Sequence, residues 1–219
     1  MMNKEWKILQ EKVVNSKRIF LSTHANPDGD GLGSEVAFYY YLKTLNKDCK
    51  IINISPIQEN YQFLNKNNMI EVYTKSKHDA WIETADLCVV FDIGDFRRLG
   101  EISSLIDSYD IESITIDHHP NNSSFFSFDI VDTLSPATGY MVWKYFEYIR
   151  FDNICIDSAN ALYCALITDT GSFRYNGTTP DCHKMAAHLL EIGVKPYEVY
   201  ALIYEQRTKE QVLLLAETL

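Results

Sequence analysis

The sequence predicts an α/β fold, a mostly parallel β-sheet flanked by helices and followed by C-terminal helices, and two observations predict it. The strongest strand signals, at residues 19–23, 87–92 and 113–116, are continuous apolar runs rather than alternating ones, as strands buried on both faces of a parallel sheet are. Stretches with apolar residues at helical spacing separate them, which is the pattern of βαβ units.

In chain order, residues 5–15 carry Trp6, Ile8, Leu9, Val13 and Val14 among charges and read as the first helix, with residues 19–23 the first strand. A loop, His24-Ala25-Asn26-Pro27-Asp28-Gly29-Asp30-Gly31-Leu32-Gly33-Ser34, leads into a helix over 35–45. Residues 50–55 make the second strand, stopped by Pro56. Residues 57–86 are mixed and polar, with a short helix around Tyr61, Phe63 and Leu64 and a short strand at 70–73. The run 87–92 ends in Asp92 and turns through Ile93-Gly94-Asp95 into a helix over 97–106. The run 113–116 ends in Asp117-His118-His119, where Pro120 stops it, and a loop over 121–132 holds an edge strand at 128–131. Helical patterns follow at 137–149, 157–169 and 180–192, the last closed by Gly193, and again at 196–219.

With 219 residues, 46% hydrophobic, the chain can bury a full core in one large domain or one and a fraction. It shows no apolar run long enough to span a bilayer and no signal segment, so a cytoplasmic protein is expected. Its five cysteines lack any Cys-x-x-Cys spacing and mostly lie in apolar runs, which argues for reduced core thiols rather than a disulfide framework or a zinc knuckle. A net charge of −10 argues against a duplex nucleic acid or an anionic membrane as partner, while leaving room for a short phosphorylated substrate. A homodimer is compatible with the sequence.

The chemistry lies at the ends of the predicted strands. In residues 24–34 two aspartates, a histidine and three glycines read either as an Asx-rich turn capping a helix or as a metal loop, with Gly29, Gly31 and Gly33 letting the backbone fold around an ion. Taken alone, Asp92 reads as a cap, His118-His119 as a surface pair and Asp169 as a helix end. A parallel sheet, however, gathers its C-terminal strand ends on one edge, and helical spacing from Leu162 and Leu166 turns Asp169 inward to join them. Four carboxylates so gathered, Asp28, Asp30, Asp92 and Asp169, would repel by about 4 kcal/mol per close pair at an effective dielectric near 20. Two divalent ions would balance them, with His24 and His118 as neutral ligands. Mixed imidazole and carboxylate donors suit Mn²⁺ better than Mg²⁺, the alternative, and a dinuclear site of this kind predicts phosphoester hydrolysis. His78, His183 and His188 lack such placement and read as structural or solvent-facing.

These elements together resemble the DHH phosphoesterase superfamily. The resemblance runs through His24, Asn26, Pro27, Asp28, Asp30 and Ser34, then Asp92, Asp95, Arg98 and Gly100, then Asp117-His118-His119, and last Thr168-Asp169-Thr170-Gly171. It implies one Mn²⁺ on His24, Asp28 and Asp92 and a second on Asp30, Asp92, His118 and Asp169, with Asp92 bridging. It further implies that His119 contacts the phosphate and protonates the leaving oxygen, that Asp117 orients the turn, and that Arg98 and Arg174 are phosphate ligands. Residues 170–175, Thr-Gly-Ser-Phe-Arg-Tyr, are most similar to the branch that hydrolyses short oligoribonucleotides and the 3′-phosphate of 3′-phosphoadenosine-5′-phosphate. That branch carries a C-terminal Gly-Gly-Gly-His domain, of which no trace is seen here. Residues 1–195 are therefore expected to be the catalytic domain and residues 196–219 a helical extension, the start of a connector marked by Val212, Leu214 and Leu215.

The same metal core would serve a cyclic or linear dinucleotide phosphodiesterase or an inorganic pyrophosphatase. An idle nucleotide-binding module is the non-enzyme alternative, and the presence of all six ligand positions speaks against it.

Overall fold

The structure, a computed structural model, describes residues 2–120, 125–206, 213, 216 and 217. Its centre is a six-stranded, wholly parallel sheet in the order β3-β2-β1-β4-β5-β6. The strands are β1 (Arg18–Thr23), β2 (Asp48–Asn53), β3 (Ile70–Val72), β4 (Leu87–Phe91), β5 (Ser113–Asp117) and β6 (Phe128–Val131). Between them and after them lie α1 (Asn3–Asn15), α2 (Gly29–Thr44), α3 (Lys75–Ile82), α4 (Glu101–Ser108), α5 (Thr138–Tyr148), α6 (Ile156–Asp169), α7 (Pro180–Ile192) and α8 (Pro196–Tyr204). The continuous apolar runs are the central strands, and residues such as Leu21, Val89 and Ile116 are buried completely. One face packs on α1, α2, α5 and α6, the other on α3 and α4. The strand order reverses between β1 and β4, so a crevice opens at their C-terminal ends, where open α/β sheets bind ligands.

Several expected boundaries move, each for a local reason. Helix α2 begins at Gly29, not at residue 35, because the Asp28 carboxylate caps it by accepting the N–H groups of Asp30 and Gly31. The glycines expected to wrap an ion are therefore helical. They serve close packing instead, since a Cβ on Gly33 would overlap the Ala161 carbonyl of α6 and one on Gly31 the Thr23 hydroxyl of β1. Strand β2 starts and ends two residues earlier than expected, pairing Arg18 with Asp48. The mixed segment holds a 3₁₀ turn, Glu59–Leu64, and a helix, α3, that its weak periodicity concealed. The strand at 128–131 forms as the edge strand β6. Helix α8 buries Val199 and Ile203 against the domain, and Asn60 Nδ2 donates to the Ile203 carbonyl at 3.4 Å. Val212, Leu214 and Leu215 lie outside the described residues.

Candidate metal centre

Four elements bring their ligand-type side chains to the crevice. His24 follows β1 directly, buried, with Nδ1 2.9 Å from the Ala25 carbonyl and Nε2 3.7 Å from Asp92 Oδ2 and 3.9 Å from Asp28 Oδ2. Asp92 follows β4 with a left-handed φ of +54°, a conformation that costs energy for a side chain with a Cβ and so belongs to constrained sites. Its N–H still donates to Ile116 of β5 at 3.0 Å, so the turn swings the carboxylate into the crevice without fraying the sheet. His118 follows β5, with Nε2 3.0 Å from Asp169 Oδ2, 3.5 Å from Asp92 Oδ1 and 3.7 Å from Asp30 Oδ2. Asp169 ends α6.

The surroundings fix these groups. Asp30 is wholly buried, and both its oxygens accept backbone N–H bonds from the start of α5, Thr138 at 2.6 Å and Gly139 at 2.8 Å. A helix N-terminus is a natural seat for an anion. The Thr138 hydroxyl donates to Asp92 Oδ1 at 3.2 Å. His118 Nδ1 lies 3.1 Å from the Ser135 carbonyl and donates to it, which turns Nε2 toward the carboxylates. Thr138, Gly139 and Ser135 were absent from the expected site. The Ser135-Pro136-Ala137-Thr138-Gly139 run ahead of a helix was the available signal, but it acts through backbone groups that residue type does not announce.

Three groupings put their ligand atoms within 4.8 Å of one another: His24 with Asp28 and Asp92, Asp30 with His118 and Asp169, and Asp92 with His118 and His119. The first gathers the three residues expected around one ion, the second gathers three of the four expected around the other, and the fourth, Asp92, has Oδ1 3.5 Å from His118 Nε2. In the third, His119 Nδ1 is engaged 2.9 Å from buried Asp117, which also accepts the His119 N–H at 3.0 Å and the Gly94 N–H at 2.7 Å. The His119 ring is half-exposed, and among the described residues its Nε2 has no hydrogen-bond partner. Arg98 reaches the rim beside His24, tied there by the bond from the Ala25 N–H to its carbonyl at 2.8 Å. Arg174 lies exposed on the turn after Asp169, with Nε donating to the Gly171 carbonyl at 2.8 Å. The three histidines set aside are structural or solvent-facing: His78 is buried between Thr74 and Glu71, His188 accepts from Trp143, and exposed His183 stacks on Phe173.

The charges fit divalent cations. Burial first, then the charges of Asp92 and Asp169, push the Asp30 carboxyl well above the usual range. Asp169 is raised too, by burial and then by Asp92, against the opposing pull of His118. His118 is pushed up to about 11; burial works against its charged form, but Asp169, Asp92 and Asp30 outweigh it. His118 Nε2 is nonetheless a buried atom without a hydrogen-bond partner of acceptable geometry. Without cations the cluster must hold extra protons; with them the same atoms become ligands.

The chain is similar to known proteins. The family profile described as "DHH family, N-terminal domain" matches residues 18–168. The bifunctional oligoribonuclease and PAP phosphatase NrnA of Thermus thermophilus is 30% identical over 83% of this chain and 52% of its own length. The protein of the same name from Bacillus subtilis is 23% identical over 86% of this chain and 58% of its own. The chain thus spans a little over half the length of these relatives. An exopolyphosphatase-related protein from Bacteroides fragilis superposes with a TM-score of 0.93 at 22% identity, over 98% of this chain and 64% of that one, and so shares its fold.

Proposed function

Since the chain belongs to the DHH family, we propose that it is a phosphoesterase that hydrolyses short oligoribonucleotides, the 3′-phosphate of 3′-phosphoadenosine-5′-phosphate, or both. The observation that carries this reading is the convergence of His24, Asp28, Asp30, Asp92, His118 and Asp169 at the crevice where the strand order reverses. The names of the NrnA relatives support the choice of substrates. In this reading residues 1–195 are the catalytic unit. His24, Asp28 and Asp92 would hold one divalent ion and Asp30, Asp92, His118 and Asp169 a second, Mn²⁺ by preference. When bound, the ions would supply an activated water and a counter-charge to the phosphate.

The protein's own residues do the rest. Thr138 and Gly139 fix the Asp30 carboxylate, and Ser135 fixes His118. Asp117 orients the His119 ring and, as the largest influence, raises its pKa, so that the ring keeps a proton to deliver to the leaving oxygen. Arg98, and Arg174 beyond it, supply the donors for phosphate oxygens. A substrate panel in Mn²⁺, comparing diribonucleotides, 3′-phosphoadenosine-5′-phosphate, cyclic dinucleotides and pyrophosphate, tests the reading. Turnover of the first two above the others is expected, and preference for pyrophosphate or a cyclic dinucleotide would overturn it.

A further inference from the structure

A chain of buried polar groups runs beneath the loop that carries His24. Pairing between β1 and β2 ends at Leu21 and Ile51. Beyond that point the Asn53 side chain takes over: its Oδ1 accepts the Thr23 N–H at 3.1 Å and the Ser22 hydroxyl at 3.4 Å. On the other side of β1 the Thr23 hydroxyl donates to the Phe91 carbonyl of β4 at 2.8 Å. Thr23 is thus tied to both neighbouring strands, and the residues that follow Thr23 and Phe91 are His24 and Asp92, two of the candidate ligands.

Asn53 is held in turn by Glu35 of α2, whose Oε1 accepts from Asn53 Nδ2 at 2.7 Å. Both side chains are completely buried. Among the described residues Glu35 Oε2 has no hydrogen-bond partner. Burial pushes the Glu35 carboxyl well above its usual range, against the smaller pull of the Asn53 bond, so it sits there as the neutral acid. A leucine would fill the same place between helix and sheet without burying a polar group, so folding alone gives little reason for the carboxyl.

We propose that Glu35 and Asn53 are positioning residues for the ion position at His24. The inference rests on the metal-centre reading above. Glu35 fixes which way the Asn53 amide faces, so that Oδ1 rather than Nδ2 meets the Thr23 N–H; a flipped amide would set donor against donor. With the end of β1 pinned on both sides, His24 Nε2 is held 3.7 Å from Asp92 Oδ2 and 3.9 Å from Asp28 Oδ2, near enough for the three to share one ion. Asp30 and His118, at the other position, are fixed by separate bonds to Thr138, Gly139 and Ser135.

The test uses the full chain with its histidine ring nitrogens isotopically labelled for NMR, and compares Glu35→Leu, Asn53→Ala and Glu35→Gln. In metal-free protein Glu35→Leu and Asn53→Ala should move the His24 ring signals and leave those of His118 in place. Glu35→Gln keeps a neutral group with the same acceptor and should give the wild-type spectrum. Zn²⁺ serves as a diamagnetic probe that binds imidazole. Its midpoint read at the His24 ring should weaken about 10-fold in the first two variants, the lower end of what a partner orienting a ligand contributes, with the midpoint at His118 kept. Asn53→Ala breaks the same chain at its other link, so the outcome does not hang on the folding of one variant. If Zn²⁺ shifts neither ring in the wild-type protein, the metal-centre reading fails, and the metal-free spectra still decide the positioning role. Unmoved His24 signals in Glu35→Leu and Asn53→Ala, equal effects on His24 and His118, or a Glu35→Gln protein as altered as Glu35→Leu would overturn the proposal.

Discussion

Arg98 and His24 meet at one nitrogen: Arg98 Nη2 lies 2.6 Å from His24 Nδ1, which also lies 2.9 Å from the Ala25 carbonyl. Guanidinium only donates, so it can stay only while Nδ1 carries no proton. Ligation through Nε2 requires the opposite tautomer, with Nδ1–H given to Ala25, and so releases Arg98 toward the phosphate. Arg98→Ala is therefore expected to keep its metal content and lose about 10- to 150-fold in kcat/KM, the worth of a hydrogen bond to a charged group. Metal titration beside steady-state kinetics checks this; loss of metal would show that Arg98 supports His24 instead.

Asp92 and His119 should separate binding from chemistry. Asp92→Asn removes a carboxylate shared by both expected ion positions and should lower metal content and turnover together. His119→Ala leaves the ligand set whole and should lower turnover alone, by roughly 10²- to 10⁴-fold if the ring is a general acid. Elemental analysis of both variants decides it.

Thr138 touches Asp92 through its hydroxyl and Asp30 through its N–H. Thr138→Val keeps the second contact and removes the first. Metal affinity should fall about 10- to 100-fold, as for other partners that orient a ligand, with the melting temperature in chelator nearly unchanged. A large drop in that temperature would make the hydroxyl a folding contact.

The protons held without metal set a pH dependence. His118 has its pKa raised on folding, from 6.5 to about 11. Its stabilising contribution is whole below about pH 6.5 and is lost as pH climbs toward 11. Asp30, raised above 3.8, likewise costs stability as pH rises. Metal binding runs the other way, since ligands must be free of protons. The gap in melting temperature between Mn²⁺-loaded and chelated protein should therefore widen from pH 6 to pH 8.5, and a constant gap would count against His118 and Asp30 as ligands.

What could be read from the sequence was which side chains gather at the crevice, because a parallel sheet collects its C-terminal strand ends on one edge. The strands were legible too: burial on both faces leaves β1, β4 and β5 apolar throughout. Backbone chemistry stayed hidden. The Asp28 cap that moves the start of α2, and the Thr138 and Gly139 N–H groups on Asp30, depend on where amides point. The helical glycines misled because close packing and tight turning call for the same residue. Helix α3 escaped notice because it buries only His78 and Ile82.

The reversal of strand order has a consequence for how the protein is made. The side chains that face each other across the crevice are spread along the chain from the end of β1 to the end of α6, His24 to Asp169. A ribosome delivers the first carboxylates long before α6 emerges, and until then they have no imidazole from β5 and no counterpart on α6. A cation gripped by Asp30 and Asp169 would brace α2 against α6, so the site closes only once synthesis has passed α6.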